Sequence, residues 1–67
     1  MYMKILLDEI MYIRKLSVRQ VAAMTGLPKS TVEDIRSGRI SPRMDVMERL
    51  AAGLKVSISE LYDSPYK

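Results

Sequence analysis

The sequence predicts an all-α fold, a compact bundle of five short helices that forms one domain over residues 1–67. Three observations predict this class. Apolar residues recur with the three- and four-residue spacing of helix faces. Two segments open with the capping box that starts helices, and glycines stand where helices are expected to end. No segment alternates apolar and polar residues for long enough to predict a strand.

The first helix is predicted over residues 4–14. Its apolar residues at i, i+4 and i+7 form a stripe that we expect to be buried, namely Leu6, Ile10 and Ile13. The apolar start of the sequence, Met1–Leu7, runs directly into Asp8 and Glu9. It has no small-residue cleavage site, so it does not predict a signal peptide, and we expect a cytoplasmic protein.

The second helix has the clearest start in the sequence. Ser17 is its predicted N-cap, and Gln20 three residues later completes a capping box. Leu16 and Val21 occupy the two positions of a hydrophobic staple around that cap. Gly26 follows the helix and is expected to end it in the left-handed conformation, which glycine adopts at little steric cost.

The third helix is predicted over residues 28–37. Pro28 opens it, because the fixed φ of proline suits a first turn, and a glycine follows its end. Val32 and Ile35 lie three residues apart and are expected to face the core. The connection before Pro28 is short and contains a glycine, which is typical of turns that set two helices at a steep angle.

Two further helices are predicted in the last third of the sequence. The fourth starts near Arg43, and its buried stripe follows the spacing i, i+3, i+4 and i+7 through Met47, Leu50, Ala51 and Leu54. The fifth spans about residues 58–62 and follows a second capping box, formed by Ser57 and Glu60. Residues 63–67 are expected to form a short tail.

The composition excludes several classes of protein. There is no cysteine and no histidine, which removes disulfides, thiolate metal sites and the commonest general base. The eight carboxylates are spread along the sequence. We therefore expect no catalytic residue, no metal and no cofactor, and no small-molecule site is evident. No run approaches the roughly 18 apolar residues of a membrane span, so we expect no membrane partner.

The basic residues are concentrated in the middle of the sequence. The net charge is +3 at pH 7, and the span from Arg14 to Arg43 holds seven basic residues against two acidic ones. A basic segment on a less basic body is typical of proteins that bind nucleic acid. A solvated helical surface explains the charge pattern equally well.

Residues 16–38 resemble the helix-turn-helix of the lambda-repressor/Cro-like superfamily, also called the xenobiotic-response-element family, in the pattern Leu16-Ser17-x-x-Gln20-Val21-Ala22-x-x-Thr25-Gly26-Leu27-x-x-Ser30-Thr31-Val32-x-x-Ile35-x-x-Gly38. The motif itself spans about residues 17–37. Residues 50–61 resemble the last two helices of that family in the pattern Leu50-Ala51-x-x-Leu54-x-Val56-Ser57-Ile58-x-Glu60-Leu61. The resemblance implies a bacterial or prophage transcriptional regulator, expected to be a repressor, that binds double-stranded DNA sequence-specifically.

The resemblance also implies where DNA binds. In that family the second helix crosses the phosphate backbone and the third, here residues 28–37, lies in the major groove. The residues that match phosphate-contact positions, or lie next to one, at the start of the second helix are Ser17 and Arg19. The residues that match base-edge positions are Lys29, Ser30, Glu33 and Asp34. The residues that match positions nearer the DNA backbone are Thr31, Ser37 and, in the loop that follows, Arg39 and Arg43.

Two carboxylates are unusual in a helix that reads a groove, because phosphates repel them. Glu33 and Asp34 can still accept hydrogen bonds from the amino group of cytosine, which would make them specificity elements. The alternative is that both belong to a solvated flank that DNA avoids.

The sequence departs from the family pattern at positions that bear on this surface. Some phage members hold a buried Arg–Glu pair between the first and third helices, where this sequence has Met11 and Arg36. We therefore expect apolar packing at Met11 and an Arg36 that is free to serve the DNA surface. Val18 replaces a glutamine that commonly bonds a phosphate. Lys55 replaces the glycine that often ends the fourth helix, and a left-handed lysine there would cost about 1–2 kcal/mol.

The expected partner is a two-fold-related operator bound by a homodimer, because two half-sites about one helical turn apart raise affinity and specificity. Tyr62 and Tyr66 are candidates for the rim of a dimer contact or for tail tyrosines that lie on their own domain. The alternative function is a protein-interaction module of the same fold, such as an antitoxin or anti-repressor component. Lys29 favours the DNA hypothesis, whereas Glu33 and Asp34 favour a protein partner.

Overall fold

Helices make up most of the part of the chain that this computed structural model describes, residues 3–66. The four α-helices are α1 (Leu7–Arg14), α2 (Val18–Thr25), α3 (Lys29–Arg36) and α4 (Met44–Leu54). A 3₁₀ helix follows at Ile58–Leu61, and two-residue strands, β1 (Lys4–Ile5) and β2 (Tyr62–Asp63), flank the helices. The predicted all-α class is confirmed, with the fifth helix present as the 3₁₀ helix. Lys67 of the predicted tail lies outside the described residues.

A strand pair stands where the sequence predicts the start of the first helix. β1 and β2 are antiparallel, and the facing residues are Lys4 with Asp63 and Ile5 with Tyr62. The backbone N–H of Leu6 also donates to the carbonyl oxygen of Leu61, at 2.7 Å. The predicted helix start at residue 4 and helix end at residue 62 are therefore wrong. Strands of two residues are too short to show the alternation by which a sequence predicts a strand.

α1 buries a different stripe from the predicted one. Leu7 is fully buried and Met11 is 5% exposed, whereas Ile13 is 75% exposed. Leu6 and Ile10 are partly buried. Apolar residues stand on several faces of this short helix, so two stripes fit the same spacing. Packing against the other helices selects the stripe through Leu7, and the prediction is wrong by one residue in phase.

The buried core draws residues from all five helices. Its members are Leu7, Met11, Val21, Leu27, Val32, Ile35, Met47, Leu50, Ala51, Leu54 and Leu61. The stripe predicted for α4 is confirmed at each of its four positions. Within residues 3–66 no polar or charged side chain is buried, so apolar burial, at about 25 cal/mol per Å², stabilises this core.

None of the helices in residues 3–66 combines the length and the hydropathy that crossing a membrane requires.

The ends of α2 follow the predicted caps, whereas α3 spans Lys29–Arg36 rather than residues 28–37, because Pro28 is its extended N-cap and Ser37 its C-cap. Ser17 is the N-cap of α2 and forms the capping box with Gln20. Gly26 ends α2 at φ 77°, and Gly38 follows α3 at φ 81°, both in the left-handed region. Leu27, in the turn between the two helices, is 7% exposed and anchors that turn in the core. The local sequence therefore sets where α3 begins and ends.

α2 packs on α4 at a close approach that depends on Gly53. A Cβ atom at this position would lie 2.5 Å from the backbone oxygen of Met24 and 2.7 Å from Cγ2 of Thr25. Beyond the end of α4, Lys55 adopts the left-handed conformation at φ 58° in place of the usual glycine. The glycine of this segment thus serves the helix contact, and the expected cost of a left-handed lysine, about 1–2 kcal/mol, applies at Lys55.

We expect Gly53→Ala to lower the free energy of unfolding by about 1–3 kcal/mol, because the added Cβ meets backbone atoms of α2. Helix propensity alone predicts the opposite sign, a gain of about 1 kcal/mol. Urea unfolding followed by circular dichroism measures the change. Glu48→Ala, at an exposed position of α4, is the control and should change the value by less than about 0.5 kcal/mol. A stabilised Gly53→Ala variant would contradict the close approach.

Candidate nucleic-acid interface

α3 turns a polar face outward because its apolar residues face the core. Val32 and Ile35 are buried, and the helix begins directly after its N-cap, Pro28. Lys29 and Ser30 in the first turn are exposed, and no side-chain partner holds either of them within residues 3–66. The first turn of α3 therefore offers one ammonium group and one hydroxyl group to a ligand.

The start of α2 carries the predicted capping box, a pair of reciprocal hydrogen bonds between Ser17 and Gln20. The hydroxyl Oγ of Ser17 accepts from the backbone N–H of Gln20 at 3.1 Å, and the Ser17 N–H donates to Gln20 Oε1 at 2.8 Å. The N–H groups of Val18 and Arg19 precede Gln20 and have no acceptor inside the helix. The Arg19 side chain beside them is exposed. This end of α2 is a local source of positive potential.

Arg36 joins two carboxylates that belong to different helices. Its Nη2 lies 2.6 Å from Oε2 of Glu33, and its Nε donates to Oε1 of the same carboxylate at 3.3 Å. Its Nη1 donates to Oδ1 of Asp8, in α1, at 3.2 Å. These bonds, the one to Glu33 first, raise the pKa of Arg36 above its ordinary value. The prediction that Arg36 is free to serve the surface is wrong.

The link between α1 and α3 differs from the expected one. Met11 is buried at 5% exposure and packs in the core, as the sequence predicts. An ion pair between the two helices nevertheless exists, with the carboxylate of Asp8 on α1 and the guanidinium of Arg36 on α3. The Asp8 side chain is 60% exposed, so this pair lies at the surface, where solvent screening leaves an ion pair little net effect on stability.

Asp34 is held to the loop that follows α3. Arg39 Nη1 donates to Asp34 Oδ1 at 3.2 Å, and the backbone N–H of Arg39 donates to the Asp34 carbonyl oxygen at 2.9 Å. The hydroxyl of Ser37 donates to the same carbonyl at 3.3 Å. Further along the loop, Arg43 Nη2 lies 3.4 Å from the carboxylate of Asp45. Each carboxylate of α3 therefore has an arginine partner.

The structure brings some of the predicted residues together and leaves others apart. Two ion pairs join predicted residues, one between Glu33 and Arg36 and the other between Asp34 and Arg39. Thr31 has no such partner among the described residues and is half-buried. Sequence reasoning missed Asp8, because no local pattern predicts a contact across 28 residues. Within residues 3–66 no group of His, Cys, Asp and Glu is placed to hold a metal ion.

Arg14 is a second residue whose partner the sequence did not reveal. Its Nη1 donates to the carbonyl oxygen of Leu54 at 2.6 Å, so a cation of α1 caps the last turn of α4. A positive charge at the carboxyl end of a helix is stabilising, because the unpaired carbonyl groups there carry partial negative charge. Arg14 is an exposed residue whose side chain also links α1 to the end of α4.

Comparison with known proteins bears on the same part of the chain. The family model described as helix-turn-helix matches residues 10–61. The match begins inside α1 and runs to the end of the 3₁₀ helix, so it contains α2, α3 and the loop with the arginines. Neither the curated proteins nor the solved structures gave a significant match.

We expect Ser17→Ala to lower the free energy of unfolding by about 1 kcal/mol, because the variant loses the oxygen that accepts from Gln20. Ser17→Asp should keep most of the stability, since aspartate is an equally good N-cap. Thermal unfolding of both variants checks this, with Ser30→Ala, an exposed serine inside a helix, as the control. Equal losses in the two Ser17 variants would contradict the capping role.

Proposed function

We infer the function of this chain from one premise: it belongs to the helix-turn-helix family of lambda-repressor-like regulators. The chain is therefore a DNA-binding transcriptional regulator, and the family is regulatory rather than enzymatic. We propose that it binds its operator sequence-specifically, with α3 in the major groove and α2 across the phosphate backbone, and that it acts as a repressor by occupying that site.

One observation carries this proposal, namely the outward polar face of α3. Lys29 and Ser30 stand exposed at the start of the helix, where recognition helices reach base edges. A lysine can donate to the O6 and N7 acceptors of guanine, and a serine can serve either a donor or an acceptor. We propose that these two side chains make the main direct base contacts.

The surrounding groups supply affinity more than specificity. Ser17 and the first turn of α2, with Arg19 beside them, suit a phosphate. The other contacts that we propose for the phosphate backbone are Thr31, Arg36, Ser37, Arg39 and Arg43. Each phosphate that a cation neutralises releases counterions, so binding should weaken steeply with salt.

Glu33 and Asp34 form ion pairs with arginines in the free protein. Arg36 and Arg39 sit on their carboxylates, which offsets the repulsion that two bare carboxylates would exert on DNA. We propose that both residues stay near the bases and orient these guanidinium groups. Because a carboxylate can accept several hydrogen bonds at once, a direct bond from either residue to cytosine is compatible with its arginine partner.

A homodimer on a two-fold-related operator suits the dimensions of the domain. Its principal extents are 31 × 23 × 22 Å. A domain of this width is small enough for two copies to lie side by side on half-sites one turn of DNA apart, about 34 Å. One domain covers a small footprint, so pairing on DNA raises both affinity and specificity.

The alternative, a protein-interaction module, is favoured by a different surface. Tyr12 and Ile13 are neighbours on α1 and are 85% and 75% exposed. A protein partner that covered these two side chains would remove apolar surface from water, which is favourable. This surface lies outside α3, so a protein partner there and DNA at α3 do not exclude one another.

Selection of binding sites from a random pool of duplexes tests the proposed function. Enrichment of a palindrome would establish sequence-specific binding, two-fold symmetry and the spacing of half-sites together. If the protein retained no duplex at low salt, the proposal would be wrong, and the protein-interaction module would be the function to test next.

We expect the charge-reversed pair Lys29→Glu with Arg39→Glu to abolish DNA binding without unfolding the domain, because both side chains are exposed on the proposed DNA surface. A gel shift at low salt measures binding, and circular dichroism checks the fold. The matched control is Arg49→Glu with Lys55→Glu, which changes the net charge equally at exposed positions outside that surface. Similar losses in the two double variants would count against α3 as the groove reader.

A further inference from the structure

Asp8 lies outside the helix-turn-helix but bonds to its recognition helix. The bond from Arg36 Nη1 to Asp8 Oδ1 measures 3.2 Å and joins residues 28 positions apart. Of the carboxylates that hold Arg36, Asp8 is the one that comes from another element, because Glu33 lies three residues away on α3 itself. Asp8 is therefore the carboxylate that Nη1 of Arg36 contacts in the free protein.

The cluster of Asp8, Glu33 and Arg36 is locally negative. Two carboxylates share one guanidinium, whereas Asp34 and Arg39 are matched one to one. The bonds to Glu33 use Nε and Nη2 of Arg36 and include the shortest distance of the cluster, 2.6 Å. The bond to Asp8 is single, longer and made by an exposed carboxylate. Asp8 is thus the partner that a competing anion displaces first.

A DNA phosphate is such an anion. An arginine serves a phosphate through the same N–H groups that serve a carboxylate. In this protein one N–H of Arg36 Nη1 is bonded to the Asp8 carboxylate before DNA arrives. A phosphate that approaches Nη1 therefore meets a like-charged carboxylate and competes with it for the guanidinium.

We propose that Asp8 is an intramolecular competitor for the phosphate contact of Arg36, and that it lowers the affinity and the salt dependence of DNA binding from a position outside the recognition helix. This proposal rests on the proposed DNA-binding function. It assigns a role in DNA binding to α1, through a positioning residue that touches Arg36 and not the DNA.

The sequence offers a matched control next to Asp8. Glu9 is the adjacent residue in the same first turn of α1, and it pairs with Lys4 at 3.1 Å rather than with α3. Asp8→Asn and Glu9→Gln each remove one negative charge from the first turn and change the helix dipole interaction equally. The two variants differ in whether Arg36 is released.

We expect Asp8→Asn to bind duplex DNA about threefold to tenfold more tightly than Glu9→Gln at the same salt concentration. A plot of the logarithm of the binding constant against that of the salt concentration should also be steeper by about 0.9, the value for one added phosphate contact. Fluorescence anisotropy with a labelled random-sequence duplex measures both quantities. Asp8→Ala removes the acceptor altogether and should give at least the same effect.

The dependence on Arg36 distinguishes this mechanism from a general charge effect. In an Arg36→Gln background, the difference between Asp8→Asn and Glu9→Gln should vanish. Equal affinities and slopes for the two variants in the native background would overturn the proposal, and so would a difference that persists without Arg36. Binding of the duplex by the unaltered protein separates these results from a failure of the proposed function, which would overturn both. Circular dichroism establishes that each variant is folded.

Discussion

The close approach of α2 and α4 is the constraint on which the position of α3 depends. The approach requires that residue 53 have no side chain, because a Cβ there would lie 2.5 Å from the backbone oxygen of Met24. Two residues later the chain passes through Gly26 and turns into α3. A displacement of the end of α2 would therefore be transmitted to the turn that orients α3. The glycine of α4 thus helps to set the position of the helix that we propose to contact DNA.

Three arginines of the proposed DNA surface, Arg36, Arg39 and Arg43, are paired with carboxylates before any ligand binds. Arg36 and Arg39 are bonded to the carboxylates of α3, so the positive potential of this surface is smaller than the number of arginines indicates. These arginines therefore attract a phosphate less strongly than unpaired cations would, and the carboxylates moderate the sequence-independent part of the proposed DNA affinity.

The local sequence predicts those parts of the fold that depend on neighbouring residues. Ser17 with Gln20, Gly26 and the stripe of α4 all follow from short-range patterns, and the structure confirms them. The phase of α1 could not be predicted, since apolar residues on several faces leave the choice to tertiary packing. The strand pair and the bond between Asp8 and Arg36 join residues that are distant in sequence, and no local pattern encodes such contacts. The candidate surface was thus predicted in its composition but not in its pairing.

The strand pair joins the two ends of the described chain, because Lys4 faces Asp63 and Ile5 faces Tyr62. Helical turns and adjacent helices close short loops, and such contacts form within microseconds to milliseconds. The pairing of Lys4 with Asp63 closes a loop of nearly the whole domain, at an entropic cost that rises by about 0.6 kcal/mol for each doubling of loop length. Because each strand has two residues, the pair forms few hydrogen bonds to offset this entropic cost. The bundle can therefore fray at β1 and β2 while its helices stay folded, and hydrogen exchange at Leu6 would precede exchange in α4.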